Sequence, residues 1–311
     1  MLAILAPGQG SQKPGFLTPW IEYDPAAEAR LRAWSDLVQL DLVHLGTAAD
    51  QAEITDTANT QPLLVAAGLL AAEYLPVAAA SVVAGHSVGE LTALALAGVL
   101  SPEAAVQLAA VRGREMAAAC AIEPTTMAAV LGGVEEDVLA AIENAGAWPA
   151  NRNGAGQIVA AGPVAAIEKL TGNPPEKARV IALKVAGAFH TPHMAPAQEA
   201  LEAAAAEIEV ADPVRTLLSN RDGKPVTSGR QALDQLVAQV TSPVRWDACM
   251  STLEAMGVTA VVELPPAGTL TGLAKRALKG VERVNVNTPD ELHLAAEHGA
   301  QAESDSNEGA E

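Results

Sequence analysis

A serine between two glycines is the first feature of the sequence with the spacing of a catalytic group. The segment "VVAGHSVGELTALAL" sets Ser87 inside Gly85-His86-Ser87-Val88-Gly89, between a short apolar run and a long amphipathic one. This order predicts a strand, a sharp turn and a helix, with the serine hydroxyl held at the helix N-terminus as a nucleophile. The N–H groups there favour a developing oxyanion, and that of Val88 is placed to donate. The alternative is that Ser87 is only a small residue at a tight turn or helix cap.

A serine nucleophile needs a general base, and the chain has six histidines. Three lie in an ordinary helical pattern or close to a polar tail: His44, His293 and His298. His86 adjoins the nucleophile, so we expect it to support the turn rather than take the proton. In "VAGAFHTPHM" an apolar run breaks into a loop, where catalytic side chains concentrate, which favours His190 as the base. His190 and His193 could instead be a metal pair, but no third ligand with suitable spacing is nearby.

Composition predicts a compact globular protein. The chain has 311 residues and 50% hydrophobic content, enough for a large core. Its 19 Lys and Arg residues against 37 Asp and Glu residues argue against nucleic acid or an anionic membrane as a partner. An anionic ligand must therefore be met by a local group of positive side chains.

Cysteine content and hydropathy indicate a cytoplasmic protein. Cys120 and Cys249 are the only cysteines, which argues against both a disulfide framework and a four-ligand zinc site. The N-terminal "MLAILAPGQG" lacks a basic start and is predicted to be a strand rather than a targeting segment. The apolar run 63–85 is interrupted by Glu73 and Pro76, which argues against a membrane span.

Short apolar runs alternate with helical patterns, which predicts an α/β fold: a mostly parallel sheet covered by helices, with an α/β-hydrolase-like core. The predicted strands are Leu2–Ala6, Val82–Ala84, Thr216–Ser219 and Ala260–Leu264. The predicted helices are Pro62–Tyr74, Glu90–Ala97, Pro102–Ala121, Pro196–Glu207, Gly229–Val240, Trp246–Met256 and Thr269–Leu278.

The pattern changes to shorter units between about residues 124 and 190. "TMAAVLGG", "QIVAAG" and "ARVIALKV" are typical of strands, and "VEEDVLAAIENAG" and "PVAAIEKLTG" of helices. We predict a small ferredoxin-like α+β domain at 124–190, inserted into a large catalytic domain formed by 1–123 and 191–296. Residues 297–311 are acidic, have almost no large apolar side chains, and are expected to be disordered.

Seven segments together resemble one family, the malonyl-CoA:acyl carrier protein transacylases of fatty acid and polyketide synthesis. They are "APGQGSQ", "GHSVGEL", "VRGREM", "NGAGQIVAAG", "GAFHTPHM", "SPVRW" and "LTGLAKRAL". The resemblance runs in the same order over about residues 1–290, and such an ordered set is far more specific than a single Gly-x-Ser-x-Gly.

The resemblance implies a cytoplasmic acyltransferase that carries malonyl from malonyl-CoA to the phosphopantetheine thiol of holo acyl carrier protein. The reaction would be ping-pong, without a cofactor or metal. Ser87 would be acylated, and His190 would be its base and acid, with no acidic third member. A main-chain carbonyl of the segment 239–244 would orient the imidazole, and Gln9 and the backbone of Val88 would form the oxyanion hole.

The resemblance also assigns substrate-binding residues. Arg112 would bind the free carboxylate of malonate, and Asn153 and Gln157 would line the site from the small domain. Phe189 would narrow the acyl pocket in favour of malonyl over methylmalonyl, and His86 lies beside the elbow.

Charge chemistry supports Arg112 independently. A buried malonyl carboxylate needs a paired cation, and a guanidinium binds it bidentately and stays charged. Arg112 is the first Lys or Arg after Arg32 and lies among apolar residues. The alternatives are an ordinary surface arginine at 112 and a simple turn residue at Gln9.

One segment departs from the family pattern. "ELPPAGTLTGL" has Pro265-Pro266 where the family has a Gly-Pro-Gly turn. We expect this difference to alter a surface loop rather than the chemistry.

Two other functions remain open. An α/β-hydrolase-type esterase would use the same elbow, but its order is Ser, acid, His, and no acidic partner is evident after His190. A non-catalytic scaffold that binds carrier protein should have lost Ser87 or His190. For docking of the acidic carrier protein and CoA, the densest basic stretch lies in the small domain: Arg152, Lys169, Lys177, Arg179 and Lys184.

Overall fold

The computed structural model describes the backbone of residues 1–308 and the side chains of residues 1–300. Its strands are β1 (Leu2–Ala6), β2 (Val82–Gly85), β3 (Thr125–Gly132), β4 (Trp148–Gly154), β5 (Gln157–Pro163), β6 (Ala178–Ala182), β7 (Thr216–Leu218), β8 (Pro225–Val226), β9 (Val244–Arg245), β10 (Ala260–Glu263) and β11 (Glu282–Asn285). Its α-helices are α1 (Thr18–Tyr23), α2 (Pro25–Val38), α3 (Leu42–Thr47), α4 (Gln51–Thr55), α5 (Thr57–Ala72), α6 (Gly89–Leu96), α7 (Pro102–Cys120), α8 (Glu135–Ala145), α9 (Val164–Gly172), α10 (Ala195–Ala206), α11 (Gly229–Gln239), α12 (Trp246–Ala255), α13 (Thr269–Ala277) and α14 (Leu292–Glu308).

The first sheet has six strands in the order β11-β10-β1-β2-β7-β8, and every pair except β7–β8 is parallel. β1 and β2 are buried along their whole length, as expected for continuous apolar runs at the centre of a parallel sheet. Ala6 pairs with Gly85, so the loops after β1 and β2 emerge side by side. The predicted α/β architecture is confirmed, and all four predicted strands and all seven predicted helices are present within a few residues of their predicted bounds.

The second sheet has the order β6-β3-β5-β4-β9. β3 to β6, with α8 and α9, follow the β-α-β-β-α-β order of a ferredoxin-like unit. The strand β4 was not predicted, because "WPANRNG" has no alternation of apolar residues. β9 pairs in parallel with β4 although it lies outside residues 124–190, so the second sheet extends beyond the predicted small domain.

The helices before residue 57 were also not predicted. α1, α3 and α4 have only five or six residues each. The clearest sequence signals of these helices are caps, such as Asp50, whose side chain accepts the N–H groups of Ala52 and Glu53. α5 begins at Thr57 rather than at Pro62, because Asp56 caps it. Among residues 1–308, no helix combines the length and apolar character that a membrane crossing requires.

Helix α14 continues to Glu308 and so runs through most of the segment 297–311, for which the sequence predicts disorder. Alanine and glutamate favour helix in this segment, and the first turns pack on the body of the protein, where Ala295 is buried. Residues 309–311 of the predicted tail lie outside the described residues.

Pro265 and Pro266 are buried, so their segment is not the surface loop that the sequence suggested. They follow β10, whose last residue, Glu263, is fully buried. Its carboxylate accepts backbone N–H groups at the start of α13, at 2.9 Å from Leu270 N and 2.7 Å from Thr271 N. The segment is therefore part of the framework that fixes α13.

Candidate functional site

Ser87 lies in the strand–turn–helix elbow that the sequence predicts. It follows β2 with φ of 54°, a left-handed conformation that non-glycine residues rarely adopt, and α6 begins two residues later. A Cβ on Gly85 would lie 2.0 Å from the carbonyl oxygen of Gly89, and one on Gly89 would lie 2.2 Å from that of Ala6. Only glycine fits at either position, so these residues allow β1, β2 and α6 to meet around the serine.

Ser87 and His190 form a hydrogen-bonded pair, with 2.7 Å between Oγ and Nε2. The other ring nitrogen, Nδ1, lies 2.9 Å from the backbone oxygen of Gln239, a residue of the segment 239–244. A carbonyl only accepts, so Nδ1 carries the proton and donates it. Nε2 is then free to accept the serine proton.

His190 is buried and neutral. Burial, and after it the Arg112 guanidinium, lower the pKa of its imidazole to about 3. A neutral imidazole is the form that acts as a base. The arrangement can therefore activate a serine hydroxyl without a carboxylate behind the histidine.

Arg112 is buried beside the nucleophile rather than exposed on the surface. It is 1% exposed, and its Nη2 lies 3.4 Å from Ser87 Oγ. Nη1 donates to Oε1 of Gln61 at 2.6 Å, and Nη2 donates to Oε1 of Gln239 at 3.0 Å. Both acceptors are neutral amides, and within the described part of the chain no carboxylate forms an ion pair with this guanidinium.

Glu90 is the acidic side chain close to this arginine, and Gln239 lies between them. The Nε2 of Gln239 donates to Glu90 Oε2. Burial raises the pKa of Glu90 to about 8, so this acid is a weak counter-ion at neutral pH. A buried cation of this kind is suited to an anionic group from outside the chain.

Asn220, which follows β7, forms hydrogen bonds to the backbone of the elbow. The sequence does not predict this role. The Oδ1 of Asn220 accepts the Ser87 backbone N–H at 2.8 Å, and its Nδ2 donates to the Gly85 oxygen at 2.8 Å. Its own N–H donates to Glu90 Oε1 at 2.5 Å. The sequence feature that could have indicated such a buried polar partner is Glu90, the single charged residue in the apolar helix segment "GELTALAL".

A cavity of about 230 Å³ opens above Ser87, between the two sheets. All but one of the site residues predicted from the sequence line it: Gln9, His86, Ser87, Arg112, Asn153, Gln157, Phe189 and His190. The exception is Val88, which is buried as the residue before α6. Several apolar side chains complete the wall: Met116, Met127, Val159, Leu183, Val185, Leu270 and Leu273.

Two contacts join the parts of this cavity. His86 Nε2 donates to Oδ1 of Asn153 at 2.9 Å, which ties the elbow to β4, and burial lowers the pKa of the His86 ring. Arg276 Nη2 lies 3.5 Å from Oε1 of Gln157, which ties α13 to β5. His193 is not among the residues that line the cavity, and its Nδ1 pairs with Glu123.

The basic residues predicted to form a docking patch do not lie together. Arg152 pairs with Glu135 and, at 3.6 Å, with Asp247. Lys169 Nζ donates to the backbone oxygen of Asn144 at 2.7 Å. These two cations are occupied by other groups of the same chain.

The other three basic residues lie in or beside β6, the edge strand of the second sheet. Lys177, Arg179 and Lys184 are exposed there, and Lys177 Nζ lies 3.6 Å from Oε1 of Glu176. Lys184 stands between Leu183 and Val185, two residues of the cavity wall. A positive surface therefore borders the cavity along this edge.

Several known proteins are similar to this chain in sequence and in structure. The chain matches the acyl transferase domain family over residues 5–290. It is 59% identical over 297 residues to the malonyl CoA-acyl carrier protein transacylase of Mycobacterium tuberculosis, covering 94% of this chain and 98% of the relative. The crystal structure of MCAT from Mycobacterium tuberculosis superposes with a TM-score of 0.92 at 58% identity, over 95% of this chain and 99% of that chain.

A more distant neighbour is a malonyl-transacylase solved in complex with a type II PKS acyl-carrier protein. It superposes with a TM-score of 0.87 at 29% identity, over 96% of this chain and 99% of that one. The match extends over nearly the whole chain, and the elbow, the paired histidine and the buried arginine lie within it. The chain belongs to the acyl transferase domain family and, within it, to the malonyl-CoA:acyl carrier protein transacylases.

Proposed function

We propose that this chain transfers a malonyl group from malonyl-CoA to the phosphopantetheine thiol of holo acyl carrier protein, through a malonyl ester on Ser87. The observation that carries the proposal is the buried Arg112 guanidinium, 3.4 Å from Ser87 Oγ, whose protein partners are neutral amides. An acyl group with a free carboxylate supplies the charge that this arginine lacks.

The first half-reaction acylates the serine. Ser87 Oγ attacks the thioester carbonyl carbon while His190 Nε2 takes the hydroxyl proton. The carbon–sulfur bond then breaks, and His190 returns the proton to the departing CoA thiolate. The 2.7 Å separation of Oγ and Nε2 supports this transfer.

The second half-reaction uses the same groups in reverse. His190 takes the proton of the pantetheine thiol, and the thiolate attacks the ester carbonyl on Ser87. The carbon–oxygen bond breaks, and the proton returns to Oγ. His190 therefore acts as a base and then as an acid in each half-reaction, while Gln239 O holds its Nδ1–H at 2.9 Å throughout.

The oxyanion of each tetrahedral intermediate is assigned to the N–H of Val88 and the side chain of Gln9. Val88 immediately precedes α6, and Gln9 lines the cavity from the loop after β1. The N–H of Ser87 is unsuited to this role because it donates to Asn220.

The remaining assignments concern the substrate. Asn153 and Gln157 contact it from the second sheet, and Phe189 narrows the acyl pocket. The two half-reactions use only side-chain and backbone groups of this chain, so we assign no cofactor. A cytoplasmic location fits the two free cysteines.

An esterase is the second candidate, and the partner of His190 argues against it. A carboxylate would normally orient the histidine of such a triad, whereas here a backbone carbonyl does. Incubation with malonyl-CoA, with and without holo carrier protein, distinguishes the two. We expect malonyl-carrier protein as the product, whereas malonate released at the same rate in both samples would indicate an esterase.

Arg112→Ala tests the substrate assignment. Loss of the cation should lower malonyl transfer by about 3–5 kcal/mol of transition-state stabilisation, because a buried carboxylate loses its partner. Acetyl transfer from acetyl-CoA should survive or rise. Equal loss of both activities would mean that Arg112 has a structural role.

A further inference from the structure

Arg112, Ser87 and His190 form one continuous hydrogen-bonded line. Nη2 of Arg112 donates to Ser87 Oγ at 3.4 Å, and the Oγ hydroxyl donates to Nε2 of His190 at 2.7 Å. The arginine and the histidine are 1% and 4% exposed. Water screens little between charges so deeply buried, so the guanidinium opposes a positive charge on the imidazole.

The other ionisable groups near His190 do little to offset this effect. Glu90 on α6 and Cys120 on α7 have their pKa values raised by burial, so both are largely neutral at neutral pH. Burial lowers the pKa of His86, in the elbow, and keeps that ring neutral. His193 is already paired with Glu123. Among the described residues, Arg112 is therefore the fully charged group that acts most strongly on the imidazole.

This charge has opposite consequences for the two tasks of His190. A neutral imidazole is needed to accept the serine proton, and the guanidinium favours that form. The same imidazole must then hold the proton until the CoA thiolate leaves, and the guanidinium opposes that form. A carboxylate on the acyl group, paired with Arg112, would cancel the opposing charge when the proton arrives.

We propose that the carboxylate of the bound acyl group, by neutralising Arg112, enables His190 to carry the reaction proton, so that Arg112 selects substrates by turnover as well as by binding. This proposal rests on the proposed function, since it requires an anionic acyl group at Ser87. The carboxylate of malonyl thereby assists the transfer of the malonyl group itself. The proposal also implies that acetyl-CoA reacts slowly even when it is fully bound.

Arg112→Met and Arg112→Lys test the proposal, because the two replacements are similar in length and differ in charge. The rate of Ser87 acetylation at saturating acetyl-CoA should rise by about tenfold or more in the Met variant, the change expected for one pKa unit at His190. The Lys variant keeps the charge, so its saturating acetylation rate should rise much less than that of the Met variant. Labelling of Ser87 by a neutral fluorophosphonate checks that the Ser87–His190 pair is still assembled in both variants.

A second measurement supplies the carboxylate and the reacting carbonyl of a malonyl group on two separate molecules. Sodium formate supplies a carboxylate beside Arg112, and acetyl-CoA supplies the reacting carbonyl. Formate should increase the saturating acetylation rate of the unmodified enzyme in a saturable way, and it should have no effect on Arg112→Met. Formamide, the neutral analogue, at matched ionic strength is the control.

The possible outcomes separate this inference from the proposed function. Failure to form a malonyl ester from malonyl-CoA would refute the proposed function itself. An enzyme that is malonylated normally, but whose Met and Lys variants are acetylated at equal saturating rates, would overturn the inference alone. The same conclusion would follow if formate lowered the acetylation rate or left it unchanged.

Discussion

The backbone N–H of Ser87 donates to Oδ1 of Asn220 at 2.8 Å, so the nucleophile is fixed by a residue 133 positions away in the sequence. Nδ2 of the same side chain donates to the backbone oxygen of Gly85, two residues before the serine. Asn220 is fully buried. It therefore holds Ser87 in its left-handed conformation and keeps its N–H away from the oxyanion.

Asn220→Ala should release this hold. The Ser87 N–H and the Gly85 carbonyl would lose their partner, which costs about 1–3 kcal/mol for each buried group left unsatisfied. We expect a lower Tm and a fluorophosphonate labelling rate of Ser87 reduced by about tenfold to a hundredfold, because the hydroxyl is no longer aligned with His190. An unchanged labelling rate would show that Asn220 does not position the nucleophile.

Gly89→Ala should prevent the elbow from closing, since its Cβ would lie 2.2 Å from the oxygen of Ala6. We expect a strongly destabilised or insoluble protein. Gly272→Ala is the matched control, because nothing lies within 4 Å of a Cβ at this position in α13. That change should raise stability by about 0.5–1 kcal/mol through helix propensity. Comparable Tm values for the two variants would contradict the close approach at Gly89.

Glu90 gives a pH-dependent contribution to stability. Burial raises its pKa from 4.5 to about 8, so the folded protein binds the proton more tightly than the unfolded chain does. The stabilisation is fully present below pH 4.5 and is lost as the pH rises towards 8. Urea unfolding across this range should show a steeper fall in the free energy of unfolding for the unmodified protein than for Glu90→Gln. Parallel curves would mean that Glu90 is ionised throughout.

Carrier-protein docking is predicted at the basic edge beside β6. Arg179→Glu combined with Lys184→Glu should raise the KM for holo carrier protein and leave acylation of Ser87 by malonyl-CoA unchanged, because opposite charges steer association. Lys224→Glu, an exposed charge reversal in another part of the chain, is the control. An unchanged KM in the double variant would place docking elsewhere.

The sequence predicts the features of this protein that depend on neighbouring residues. The elbow could be predicted because Gly85, Ser87 and Gly89 lie within five positions and each requires a particular backbone geometry. His190 could be identified because it follows an apolar run at the start of a loop. The family resemblance added Gln9 and Arg112, which are ambiguous when considered alone.

Features that depend on distant contacts could not be predicted. Asn220 lies in "LLSNRDGK", which is typical of a turn, and its role arises only when β7 pairs with β2. The carbonyl that orients His190 could be placed only within the segment 239–244, and Gln239 could not be singled out. Both its carbonyl and its side chain act through tertiary contacts. The two prolines after β10 looked like loop residues, although packing buries them.

The central claim is that Ser87 carries the acyl group between donor and acceptor. Intact-protein mass spectrometry after mixing with malonyl-CoA tests this most directly, with Ser87→Ala as the comparison. We expect the unmodified protein to gain the mass of one malonyl group and to lose it when holo carrier protein is added, while Ser87→Ala gains none. A malonyl adduct that persists on Ser87→Ala would contradict the account.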